Sequence, residues 1–164
     1  MQSREEGRLM VRQLAVVALV AGLLAGCSPK LPDGVDADRL SAAVGRAIGS
    51  PSTCVIVADA AGKMVWRGGG YITCARNLPS CEGGADVTAE AVLKASLAKP
   101  ARFLSCPSAT GGANTVGWAM GPVPVGEGKA PSGLRYVAVM EGERALPGRE
   151  VQERVEHAFE KAGF

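Results

Sequence analysis

Residues 54–67, CVIVADAAGKMVWR, decide the fold. Cys54-Val55-Ile56-Val57-Ala58 is β-branched and apolar, and Met64-Val65-Trp66-Arg67 is the second β-prone run. Between them Asp59-Ala60-Ala61-Gly62-Lys63 carries the turn residues that reverse a chain. Two such runs around a short glycine-bearing turn predict an antiparallel hairpin, hence a sheet that later strands must join. Upstream, Leu40, Ala43, Val44, Ala47 and Ile48 recur at helical spacing behind a capping Asp36, and Gly49 and Pro51 stop that helix. Downstream, Gly68-Gly69-Gly70 breaks or bends the second strand before Tyr71-Ile72-Thr73-Cys74.

Residues 75–85 (ARNLPSCEGGA) read as loop, and residues 86–99 as a second helix. Asp86 or Thr88 stands near its cap, Val92, Leu93, Ser96 and Leu97 point to the core, and Pro100 ends it. Strands are expected over 102–106 and 115–120, the latter bearing Trp118, with a Gly/Ser/Thr loop between them. A long Pro/Gly-rich connection, 121–133, leads to residues 134–141. There Leu134, Tyr136, Ala138 and Met140 share one face, while Val137 and Val139 stand on the other with Arg135 and Glu141. Apolar residues on both faces predict a central strand. From Arg149 onward Val151, Val155, Ala158, Phe159 and Ala162 form a helical stripe against a charged face, with Gly163 as the stop. The order helix, hairpin, helix, three strands, helix predicts an α+β fold. It is a single small domain over 36–164, with a mainly antiparallel five-stranded sheet and three helices. The element order is similar to that of profilin- and roadblock-like sheets and the sensor folds near them.

With a net charge of +2, electrostatics give no support to a nucleic-acid partner. Two Trp, two Tyr and three Phe leave the core to small side chains, so stability needs another source. Five cysteines are present. Cys54, Cys74, Cys81 and Cys106 read as disulfides of an exported domain. Four cysteines allow three connectivities; the short 75–80 loop favours Cys74 with Cys81, leaving Cys54 to Cys106. Zinc and a thiol-redox role are both disfavoured. No C-x-x-C pair occurs, and the sole histidine, His157, lies far off on the charged face of the last helix. No metal and no cofactor is expected.

The fifth cysteine closes a different pattern. Residues 14–24 (LAVVALVAGLL) form an apolar run of about eleven residues, shorter than the ~20 needed to span a bilayer. Leu24-Ala25-Gly26-Cys27 ends it, and Ser28-Pro29-Lys30-Leu31-Pro32 follows. This arrangement resembles the signal sequence of bacterial lipoproteins. The resemblance implies a signal peptide over 1–26, cleavage before Cys27, acylation of its thiol and a lipidated tether over 27–35. Ser3-Arg4-Glu5-Glu6 is acidic for such a start; beginning at Met10 leaves Met-Val-Arg-Gln ahead of the apolar run. Within the class, a neutral residue such as Ser28 after the cysteine accompanies sorting to the outer membrane, facing the periplasm, where the organism has two membranes.

Candidate chemistry is sparse. Ser96-Leu97-Ala98-Lys99 is an S-x-x-K, which sets a hydroxyl and an amine on one helical face. With the 55–67 hairpin, Gly117-Trp118-Ala119-Met120-Gly121, residues 134–140 and the last helix, it resembles the penicillin-recognising serine enzymes. That resemblance implies Ser96 as nucleophile and Lys99 as its partner. No S-D-N- or K-T-G-like motif accompanies them. Gly68-Gly69-Gly70 reads as a bend and not a phosphate loop. Glu82-Gly83-Gly84 precedes a helix but has Asp86 competing with any anion. Asp59, Glu141 and Glu143 fit turn and strand-end solvation as well as they fit an acid pair, and Trp66 and Trp118 fit core filling better than a groove. The expected function is therefore that of a small disulfide-stabilised envelope lipoprotein. It binds or scaffolds, with an envelope protein or peptidoglycan as partner and no catalysis of its own. The alternative is a reduced or degenerate penicillin-binding-like serine acyl enzyme acting on peptidoglycan.

Overall fold

The computed structural model describes residues 30–108 and 112–164. The expected signal peptide, 1–26, and the acylated Cys27 lie outside the described residues. Among the described residues the chain runs α1 (Ala37–Ile48), β1 (Thr53–Ala58), β2 (Met64–Gly69), α2 (Tyr71–Ala75), α3 (Ala89–Ser96), β3 (Arg102–Pro107), β4 (Thr115–Pro122), β5 (Arg135–Gly142) and α4 (Gly148–Ala162). This is the expected small α+β domain with a five-stranded antiparallel sheet, in the order β2-β1-β5-β4-β3. The central strand is β5, the one with apolar residues on both faces.

One helix was not foreseen. The break at Gly68-Gly69-Gly70 does not lead back into extended chain but into the single turn α2. The glycines are there because backbone packs on backbone. A side chain on Gly69 would begin 2.3 Å from the Thr53 carbonyl oxygen, and one on Gly70 2.2 Å from that of Pro51. No phosphate could enter so tight a contact.

Each face of the sheet has its own core. On one, Val55, Val57, Ala119, Tyr136, Ala138 and Met140 meet α1 through Leu40, Val44 and Ile48. The same face meets α4 through Val151, Val155, Ala158, Phe159 and Ala162, the stripe read from the sequence. Leu31 and Val35, placed in the tether by sequence, already lean on this core, so packed chain begins ahead of residue 36. On the other face Cys54, Ile56, Val116, Trp118, Met120, Val137 and Val139 are covered by Leu78, Ala89 and Leu93 from the α2–α3 segment.

The disulfides join Cys54 to Cys74 and Cys81 to Cys106, with Cα separations of 5.0 and 5.3 Å. The Cys54–Cys106 and Cys74–Cys81 pairing is thus corrected, and strand order is the reason. Cys54 is on β1 and Cys106 on β3, with β5 and β4 between them. Three interstrand steps amount to about 14 Å, beyond the ~7 Å that a disulfide bridges.

The start of α4 meets the sheet backbone to backbone, with Gly117 of β4 beneath Leu146 and Gly148. A side chain on Gly148 would begin 2.2 Å from the Leu104 carbonyl oxygen and 2.4 Å from that of Trp118. The Gly148 amide also donates to Ser105 Oγ at 2.8 Å. Gly148→Ala is therefore expected to destabilise the domain by about 3 kcal/mol, since only backbone could move to make room. Chemical denaturation compared with the wild type measures it.

Candidate functional site

The S-x-x-K falls at the end of α3, and the structure does not present it as a nucleophile. Ser96 is buried, 1% exposed, and its hydroxyl donates back to the Leu93 carbonyl at 2.8 Å. Lys99 lies beyond the helix with an exposed side chain, joined to Ser96 through its own amide, which donates to the Ser96 carbonyl at 3.0 Å. The Arg135 guanidinium caps both residues, donating to the carbonyls of Ser96 and Lys99. A cation at the last carbonyls of a helix completes its C-terminus. The spacing thus serves helix termination, and the Ser96 hydroxyl faces the interior.

The other residues singled out by sequence also disperse. Trp66 and Trp118 lie in the two different cores, on opposite faces of the sheet. Trp118 is fully buried and its Nε1 donates to the Pro79 carbonyl at 2.8 Å, which fastens the loop before α3. Asp59 Oδ1 accepts from the amides of Ala61 and Lys63, both at 2.9 Å, closing the β1–β2 turn. Glu141 lies at the far end of the sheet, in a 2.9 Å ion pair with Arg76. Six residues of β1 separate these ends, about 20 Å, so Asp59 and Glu141 cannot act as an acid pair. A cleft of about 420 Å³ does open at that end of β5, lined by Ser50, Ser52, Glu141, Glu143 and Arg144. The Ser50 hydroxyl there is shared with Thr53 at 3.0 Å, and Glu141 with Arg76.

Beside the second disulfide, Arg102 makes a two-pronged contact with Glu82 at 2.6 and 2.9 Å. Those hydrogen bonds hold the Glu82 carboxyl below the ordinary carboxylate range, against a smaller opposing push from desolvation. What the pair contributes is therefore present at neutral pH and fades as acid protonates Glu82.

The group that does converge was not singled out by the sequence reading. A groove of about 510 Å³ runs between α1 and α4, floored by Ala43, Ala47 and Ala158 and rimmed by Arg39, Arg46, His157 and Lys161. The helix spacing accounts for it: the buried stripes point inward, and the small residues beside them leave the outer seam shallow. The glutamates of α4 are paired, Glu160 with the rim residue His157 and the others away from the groove. Glu150 pairs with Arg154, Glu153 with Arg149, and Glu160 with His157 at 3.4 Å. Glu156 accepts the Tyr136 hydroxyl at 2.7 Å and Gln152 Nε2 at 2.9 Å. Burial, aided by that carboxylate, pushes the Tyr136 phenol far above its usual range, so it stays a neutral donor. Arg39, Arg46 and Lys161, by contrast, make no side-chain hydrogen bond or ion pair with other described residues. Three uncompensated cations over an alanine floor form a surface for negative charge.

Among the described residues no group of three His, Cys, Asp or Glu side chains could hold a metal ion, and no helix is long and apolar enough to cross a membrane. Comparison with known proteins finds no matching family model, no curated relative and no solved structure of significant similarity.

A fluorescent penicillin is expected to leave the wild type and Ser96→Ala equally unlabelled, and the substitution to change stability by no more than about 1 kcal/mol. Labelling of the wild type that disappears in Ser96→Ala would restore the acyl-serine reading.

Proposed function

We propose that the chain is an exported, lipid-anchored protein of the bacterial cell envelope. It acts by binding, and the cationic groove between α1 and α4 is its contact surface. The observation that carries export is the pair of disulfides: each joins segments more than a turn apart in sequence, 20 and 25 residues. Bonds of that kind form and persist in an oxidising compartment. The Leu24-Ala25-Gly26-Cys27 pattern supports the anchor, because it ends a short apolar run at the position where acylation occurs. Lipid attachment contributes about 0.8 kcal/mol per buried methylene, so the several chains carried by this class hold firmly. Ser28 supports the outer membrane as destination where there are two membranes.

Binding in place of catalysis is supported by the buried, self-bonded Ser96 hydroxyl and by the dispersal of the acidic residues. The groove supports a partner that carries negative charge, and it is the place in the fold where unpaired charge of one sign gathers.

Growth on labelled palmitate is expected to mark the wild type and not Cys27→Ala, with the label fractionating with the membranes. A wild type as unmarked as the variant would remove the anchor.

A further inference from the structure

We infer that the occupant of the α1–α4 groove is the anionic phospholipid surface of the membrane that holds the anchor, so that the domain lies with its α1–α4 layer against the headgroups. The inference rests on the anchored reading for its geometry, and two observations carry it. The first is charge. Arg39, Arg46 and Lys161 rim the groove without partners among the described residues, and its floor is alanine, so phosphates could approach the cations without a bulky side chain between them. Near a negatively charged bilayer each such cation contributes about fivefold to the binding constant.

The second is where the chain enters. The segment from Lys30 to Val35 runs into the start of α1, and Leu31 and Val35 pack on the core beneath that helix layer. The end of α4 comes back to the same place. Gly34's carbonyl oxygen is 3.3 Å from where a side chain on Gly163 would begin. Arg39, near the start of α1, and Lys161, in the last turn of α4, therefore stand at the entry end of the groove. Cys27 precedes Lys30 by three residues, at most about 11 Å of extended chain. Even fully extended, that reach is under two screening lengths of about 8 Å at physiological salt, so an anchored domain keeps this end near the headgroup charge. Elsewhere among the described residues, Lys63 in the β1–β2 turn, Lys99 near Glu82 and Arg144 beside Glu141 and Glu143 belong to separate elements and share no groove.

The test uses the exported chain with Cys27→Ser, which takes no lipid, so that failure of the anchor and failure of the groove are read separately. Vesicles of equal parts phosphatidylglycerol and phosphatidylcholine should carry this protein in flotation, and vesicles of phosphatidylcholine alone should not. Raising the salt from about 0.05 to about 0.5 M should release it. Arg39→Glu with Arg46→Glu should weaken binding by roughly twentyfold or more, whereas Lys63→Glu with Lys99→Glu, an equal change in net charge, should keep it within about threefold. Should the first pair impair folding, as read by its melting curve, Arg39→Gln with Arg46→Gln replaces it. Equal loss in both pairs, or no preference for the anionic vesicles, would overturn the inference. So would groove-dependent binding to a poly-glutamate chain with none to vesicles, which would assign the groove to an acidic polypeptide.

Discussion

The face of the sheet opposite α1 and α4 is covered by little more than an eight-residue helix, and two covalent bonds keep that cover in place. Between Gly70 and Pro100 only a few apolar side chains are buried among those described, chiefly Leu78 and Leu93. Against them stands the conformational entropy of ordering a segment made mostly of loop. The Cys54–Cys74 bond ties the start of the segment to β1, and Cys81–Cys106 ties its middle to the edge strand β3. Each removes freedom from the unfolded chain worth about 3 kcal/mol for loops of this size. The Trp118–Pro79 hydrogen bond and the Arg102–Glu82 contact then refine what the sulfurs have already positioned.

The opposite layer needs no such help. There α1 and α4 bring continuous apolar stripes, and the small residues of β4 let α4 approach to backbone contact. Tyr136, Phe159 and Phe164, three of the few aromatics, stack edge to face at 5.2 and 5.4 Å in that core. Trp66 joins these three rings in the same core, while Trp118 lies in the stapled one.

This division explains what could be read from the sequence. The hairpin, α1, β5 and α4 announce themselves through their own periodicity and end signals, because each is amphipathic or β-branched within a single segment. The one-turn helix α2 and the disulfide partners depend on which strands become neighbours, and that is decided by contacts between distant residues. Local spacing made Cys74 and Cys81 look like partners, although one is bonded to β1 and the other to β3, at separate places in the sheet. Local spacing likewise made Ser96 and Lys99 look like a catalytic pair, until Arg135, 36 residues downstream of Lys99, took up their carbonyls. The cationic groove was hidden for the same reason. Arg39 and Arg46 are unremarkable on α1 and Lys161 on α4; only the packing of the first helix on the last brings them to one seam.

Everything from the closure of the α3 cover to the expectation of export depends on which sulfurs are joined. Peptide mapping of the unreduced protein by mass spectrometry reads this directly. Linked peptides containing Cys54 with Cys74 and Cys81 with Cys106 are expected. Free thiols at these four positions, or a Cys74–Cys81 link, would contradict that pairing.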